Sequence, residues 1–181
     1  MHCTWIVPEE PELSELRELV ERLSAIGGGP SFEPHLTVLS GIRLEAGIVL
    51  ELLAAAFERL PQFELEMVST GTENAFFKSV YLLPKPSDRL ANLRLRAEEL
   101  LAPNSNSSRF NPHFSAAYGH FAAGRKKQML ELASRALPKT LRFERAMVVR
   151  ASGAVPVEDW RPIGSIGLSG TGRAISRGGS P

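Results

Sequence analysis

Apolar residues recur along the chain at two spacings, and the switches between those spacings mark out its elements. His2 to Val7 is a short apolar run that predicts a strand, ended by Pro8. Leu13, Leu16, Val20 and Leu23 follow at helical spacing, with Glu15, Arg17, Glu18 and Glu21 between them. Pro11 suits the first turn of that helix, and Gly27-Gly28-Gly29-Pro30 ends it. The glycines follow a helix instead of opening one and have no Lys-Ser/Thr after them, so they read as a C-cap and turn, not a phosphate loop. Pro34 to Ser40 predicts the second strand, and the Ala/Leu-rich stretch from about Leu44 to Leu60 a second helix, stopped by Pro61. Phe63, Leu65 and Met67 alternate with polar residues as in a half-buried strand. Ser69-Thr70-Gly71-Thr72 reads as a turn, and Phe76 to Leu83 as the returning strand. Leu90 to Leu101 predicts a third helix, Pro103 to Ser108 a polar loop, and Pro112 to Tyr118 a strand. Ala122 to Leu137 predicts a fourth helix, and Leu141 to Val149 and Trp160 to Leu168 closing strands. Residues 169–181, rich in glycine and serine, are expected to form a mobile tail.

This order contains one design twice: strand, helix, histidine-bearing strand, helix, strands. Two such halves facing each other place two equivalent strands across a shared cleft. The chain of 181 residues suits a single domain built from two small lobes.

Composition narrows the partners. Lys and Arg number 21 against 20 Asp and Glu, without the basic excess of a protein that grips long nucleic acid. A small nucleotide or an RNA end is the better expectation. The single cysteine, Cys3, allows no intrachain disulfide and reads as a small strand residue. There is no run of 18 apolar residues and no basic-then-apolar leader, so no membrane span is expected and a cytoplasmic location follows. No obligate protein partner is suggested, and a monomer is expected.

Candidate chemistry lies in the repeated strand. Pro34-His35-Leu36-Thr37-Val38 and Pro112-His113-Phe114-Ser115-Ala116 are two copies of one pattern. Residues two apart on a strand share a face, so His35 and Thr37 point together, as do His113 and Ser115, while Leu36, Val38, Phe114 and Ala116 point into the core. With only four histidines in the chain, chance alone supplies two such matches on the order of 2% of the time, even before the prolines are counted. Neutral imidazole takes a proton from water near neutral pH, and imidazolium gives one to a leaving oxygen. Thr37 and Ser115 can donate to the oxygens on which charge gathers. A strained cyclic phosphodiester needs both proton transfers and little more. Zinc is the obvious rival, but neither motif offers the third and fourth ligands such a site needs, so neither metal nor cofactor is expected.

At these residues the sequence resembles the 2H phosphoesterase superfamily, defined by two H-x-T/S-h motifs, and most of all its cyclic phosphodiesterase branch. Trp5-Ile6-Val7-Pro8 is similar to that branch's Trp-x-x-Pro opening. Ser69 to Leu83 resembles its central hairpin, and the likeness runs from about residue 3 to 168. The resemblance implies an α+β bilobal fold over residues 1–168, with two antiparallel sheets in pseudo-twofold symmetry facing a central cleft and helices outside. It implies hydrolysis of nucleoside 2′,3′-cyclic phosphates to 2′-phosphates, or of ADP-ribose 1″,2″-cyclic phosphate. His35, Thr37, His113 and Ser115 match the catalytic positions. Trp5 and Tyr118 match pocket-lining positions, and Thr72, Phe77 and Lys78 of the hairpin join them as substrate-binding candidates. Tyr118 lies five residues beyond His113, so in a regular strand its side chain starts on the wrong face. Lys78 replaces a neutral polar residue and either meets a phosphate or points to solvent. Glu73-Asn74-Ala75 look like extra residues in the hairpin turn. The polar loop carries no cysteine, which leaves no redox latch of the plant type there. An RNA-end phosphodiesterase or 2′-5′ ligase-like enzyme is the alternative within the superfamily, and a non-catalytic nucleotide or RNA binder the alternative outside it.

Overall fold

In strands that bury one face, every second side chain enters the core, and that alternation decides what each strand of this chain offers to the other side. The computed structural model describes residues 1–57, 60–102 and 110–168, together with the backbone of a strand at 175–177. The first half comprises β1 (His2–Ile6), α1 (Glu12–Gly27), β2 (Leu36–Ile42), α2 (Ala46–Phe57) and β3 (Phe63–Thr72). The second comprises β4 (Val80–Pro84), α3 (Asp88–Leu101), β5 (Phe114–Ala117), α4 (Ala123–Arg135), β6 (Thr140–Phe143), β7 (Arg145–Arg150) and β8 (Arg161–Gly167). β9 (Ile175–Arg177) adds a short strand beside β8. The rest of the expected tail and the 103–109 loop lie outside the described residues.

The strand order is β6-β3-β4-β5-β2-β1-β7-β8-β9, antiparallel at each pairing. The two histidine-bearing strands are central neighbours, joined at one pair, Leu36 with Phe114. Outward from that seam the halves mirror each other: β1 flanks β2 as β4 flanks β5, then β7 lies beyond β1 as β3 lies beyond β4. The two antiparallel sheets expected from the sequence therefore meet along β2 and β5. The closing strand of each half is exchanged, with β3 on the second lobe and β7 on the first.

The helices follow the same symmetry. α1 packs on β5 and α3 on β2; α1 also meets α4, and α2 meets α3. Between sheet and helices lies one core that holds Leu36, Val38, Phe114 and Ala116 of the central strands with Leu16, Leu19, Leu23, Leu90 and Leu93 of α1 and α3. Each such fully buried leucine contributes roughly 1.5–3 kcal/mol. The glycine run behaves as its position dictates: Gly28 closes α1 in the left-handed conformation, φ 73°, and its N–H reaches the Ser24 carbonyl at 2.7 Å.

Three boundaries differ from the expected ones. The turn expected at 69–72 is strand, because β3 runs on through Thr72 in register with Val80. The chain turns instead through 73–75, and Phe76–Lys78 form one 3₁₀ turn before β4. The stretch 141–149, expected as one strand, is two: β6 pairs with β3 and β7 with β1, so the chain changes lobe at Glu144, whose carbonyl accepts from the Leu168 N–H at 2.6 Å. Among the described residues no helix is long and apolar enough to cross a membrane.

Candidate active site

With Leu36 and Val38 in the core, Thr37 faces the opposite side of β2, and Trp5 of β1 lies directly across from it. In the other lobe Phe114 and Ala116 enter the core, Ser115 faces out, and Tyr81 of β4 lies directly across from it. The two histidines stand one residue before their strands. Both rings, Thr37 and Ser115 line a single cavity of about 380 Å³, walled by Trp5, Phe77, Tyr118 and Trp160. Two motifs 78 residues apart in the chain are thus gathered at the seam between the lobes.

The same local bond orients each imidazole. His35 Nδ1 lies 2.7 Å from the Glu33 carbonyl and His113 Nδ1 2.9 Å from the Asn111 carbonyl, two residues upstream in both cases. A carbonyl oxygen only accepts, so Nδ1 carries the hydrogen and Nε2 is left as the basic nitrogen of the neutral ring. Glu33 is itself held by Arg17 of α1, whose Nε and Nη2 donate to its two carboxylate oxygens at 2.9 and 2.6 Å. The helix thereby fixes the carbonyl that fixes His35.

The surroundings of the two rings differ. His35 is only 5% exposed and stacks on Trp5, centroids 3.6 Å apart and planes 11° apart, with Trp160 edge-on at 6.4 Å. Burial drives its pKa down to about 4, against the opposing Glu33 carbonyl and with a small push from His113. His113 is half-buried, and its pKa is also lowered, first by burial and then by the Lys78 ammonium, while the Glu33-like carbonyl of Asn111 and the Glu73 carboxylate oppose the shift. Both rings therefore lose their protons more readily than a free histidine.

Ser115 is buried, and its hydroxyl donates to the Phe77 carbonyl at 2.7 Å. Its proton is thus engaged with the 3₁₀ turn and must be released before it serves another acceptor. Tyr118 reaches the cavity despite its odd spacing. Ala117 pairs with Val80 and Ser115 with Tyr81, so β5 carries one residue more than β4 over that step. Such a bulge reverses the alternation and turns Tyr118 to the side of Ser115. Burial holds its hydroxyl protonated, and Phe32 stacks on its ring at 3.7 Å.

Of the substrate-binding candidates, Trp5, Phe77 and Tyr118 line the cavity. Thr72 is exposed at the end of β3, and Lys78 pairs with Glu73 beside the cavity, not in its lining. Cys3 lines the cavity as a buried thiol, its Sγ directed at the Ala151 carbonyl and its pKa raised by burial, which opposes a nucleophilic role. Sequence reasoning missed Trp160, which meets Trp5, Phe77 and Tyr118 at 5.7, 5.8 and 6.0 Å. Nothing local distinguishes it from a strand-end tryptophan. Phe32, by contrast, adjoins the first motif and stood beside it in the sequence. Among the described residues no three His, Cys, Asp or Glu side chains gather so as to hold a metal ion.

Comparison with known proteins bears on the family and the fold. The chain matches the model of the cyclic phosphodiesterase-like protein family over residues 1–168. Cyclic phosphodiesterase from Arabidopsis thaliana is 28% identical over 138 residues, which cover 74% of this chain and 73% of the plant protein. E. coli LigT in its apo form superposes with a TM-score of 0.62 at 18% identity, over 93% of this chain and 96% of LigT. A solved phosphoesterase superposes with a TM-score of 0.62 at 19% identity, over 93% of this chain and 99% of its own. At such identities the two structures speak to the fold. The chain belongs to the cyclic phosphodiesterase-like family, within the 2H phosphoesterase superfamily.

Proposed function

We propose that this protein hydrolyses nucleoside 2′,3′-cyclic phosphates to 2′-phosphates, and ADP-ribose 1″,2″-cyclic phosphate to its 1″-phosphate, by acid–base catalysis without a metal. One observation carries the reading: two imidazoles, each tied through Nδ1 and each beside a hydroxyl, line one aromatic-walled cavity. The plant relative is named for cyclic phosphodiester cleavage, and LigT has been solved with 3′-AMP and with phosphate.

Water adds to phosphorus on one side of the ring, and the bond from phosphorus to the ribose 3′ oxygen breaks on the other. His35, neutral through its burial among Trp5 and Trp160, accepts the proton from water at Nε2. His113, the more exposed ring, delivers a proton from Nε2 to the departing oxygen. Thr37 donates to a non-bridging oxygen, and Ser115 exchanges the Phe77 carbonyl for another when the anion arrives. Phe77 and Trp160, the more exposed of the four aromatic walls, offer ring surface to the nucleobase.

A panel of cyclic phosphates in excess EDTA, with products assigned by phosphorus NMR, tests this. Turnover to 2′-phosphates is expected. Loss of turnover restored by zinc, or tight binding of a 2′-phosphate with no turnover, overturns it. The RNA-end reading is favoured by a second, open cavity of about 620 Å³ that shares Phe77 and Gly153 with the first. Faster turnover of a cyclic-phosphate-ended oligonucleotide than of the mononucleotide would select it.

A further inference from the structure

The pseudo-symmetry pairs Trp5 with Tyr81, each opposite the hydroxyl residue of its lobe, yet the two walls are built differently. Trp5 stacks flat on His35 and is backed by a second indole, Trp160. Tyr81 meets His113 edge-on, centroids 5.7 Å apart and planes at 69°, and is backed by ions. The Lys78 ammonium sits 4.5 Å from the centre of the Tyr81 ring. Its side chain is only 13% exposed and pairs with Glu73. The Tyr81 hydroxyl donates to the same Glu73 oxygen at 3.3 Å, and Lys126 of α4 donates to the Glu73 backbone carbonyl at 2.8 Å. Room for this clasp depends on Gly71, which pairs with Tyr81 on β3: a Cβ there would come within 2.6 Å of the phenol ring. Glu73 is the first of the three turn residues, 73–75, between β3 and the 3₁₀ turn.

We propose that Glu73 is a positioning residue for His113, acting through Lys78 and Tyr81. The groups around His113 are Lys78, Glu73 and Tyr81 on its own side, His35 across the cavity, and Lys126 behind Glu73. Lys78 disfavours the imidazolium and Glu73 favours it. Held together, the two charges oppose each other at the ring. Removing either leaves the other unopposed, so the two removals act on His113 in opposite directions. The clasp also keeps the Tyr81 edge against the imidazole, where it fixes the ring plane. The kinetic part of the test rests on the proposed role of His113 as the acid; the titration does not.

The test is an NMR titration of the His113 ring in the whole protein and in Glu73→Gln, Lys78→Met and the double variant, run beside the pH profile of kcat/KM. Glu73→Gln is expected to move the His113 midpoint to lower pH and Lys78→Met to higher pH. The double variant is expected to return between them, and Glu73→Asp to restore most of the Gln displacement. Midpoints that stay put, or move the same way in both single variants, overturn the proposal. Thermal unfolding of each variant separates these outcomes from lost structure, and the isosteric Gln at an exposed turn keeps the fold. If the midpoints move as stated but the alkaline limb of the profile does not follow, the acid role of His113 fails and the clasp stands.

Discussion

At the scale of single residues, two histidines with the same local bond are made unequal by what surrounds them. His35 has an indole against its face, and burial takes its pKa to about 4. As a base it must be unprotonated, so activity falls as pH drops toward that value. His113 as an acid must be protonated, and its pKa lies below the ordinary histidine value, so activity falls again as pH rises through it. The kcat/KM profile is therefore expected to be a bell with its maximum on the acid side of 6.5; an optimum in the alkaline range would contradict the two lowered histidines as the acid–base pair. The same burial makes a stability statement. The folded state resists protonating His35 between the unfolded value of 6.5 and about 4, so the unfolded chain binds more protons there and stability falls as pH is lowered through that window. The loss amounts to about 3 kcal/mol for His35 alone. Urea midpoints measured from pH 7 to 4 should fall more steeply for the native chain than for His35→Gln, and parallel curves would contradict this. The identity of both histidines and hydroxyls was legible in the sequence because the pattern occurs twice. Their inequality was not, because it comes from Trp5, Trp160, Lys78 and Glu73, which only the fold brings near.

At the scale of elements, small departures from regular geometry do the positioning. One extra residue in β5 turns Tyr118 into the cavity, a reversal that counting in twos from His113 does not foresee. The 3₁₀ turn at Phe76–Lys78, which apolar alternation reads as strand, offers the Phe77 carbonyl to Ser115. α1 was legible from its spacing, but its reach to the site through Arg17 was not, since the Glu33 partner lies beyond the glycine turn. That contact gives a graded expectation. Both partners are part-exposed, so the ion pair is worth about 0.2–1 kcal/mol. Arg17→Met should accordingly lower kcat by a few-fold at most, with an unchanged unfolding midpoint to within the same energy. A loss as large as that of a histidine variant would place Arg17 in the chemistry itself.

At the scale of the molecule, the site exists because two halves of one design meet edge to edge along β2 and β5. Leu36 and Phe114, each followed by its hydroxyl residue, form the seam, and both are fully buried. The repeat of strand, helix, histidine strand and helix was readable from the hydrophobic pattern. The exchange of closing strands was not: Glu144 and Arg145 interrupt the alternation within 141–149, yet nothing local says that the part before them pairs in one lobe and the part after them in the other, which is a matter of tertiary pairing. The exchange locks each lobe to the other, so the two imidazoles are held by a shared framework, as the proposed joint action on one phosphorus requires. That joint action is the central claim, and a mutant cycle tests it most directly. Turnover of uridine 2′,3′-cyclic phosphate should fall roughly a hundred- to ten-thousand-fold in His35→Ala and in His113→Ala. In the double variant it should fall little further than in the worse single one, as for groups that work as a unit. Near-normal turnover in either single variant, or losses that multiply in the double, would contradict a pair of histidines acting together across the cavity.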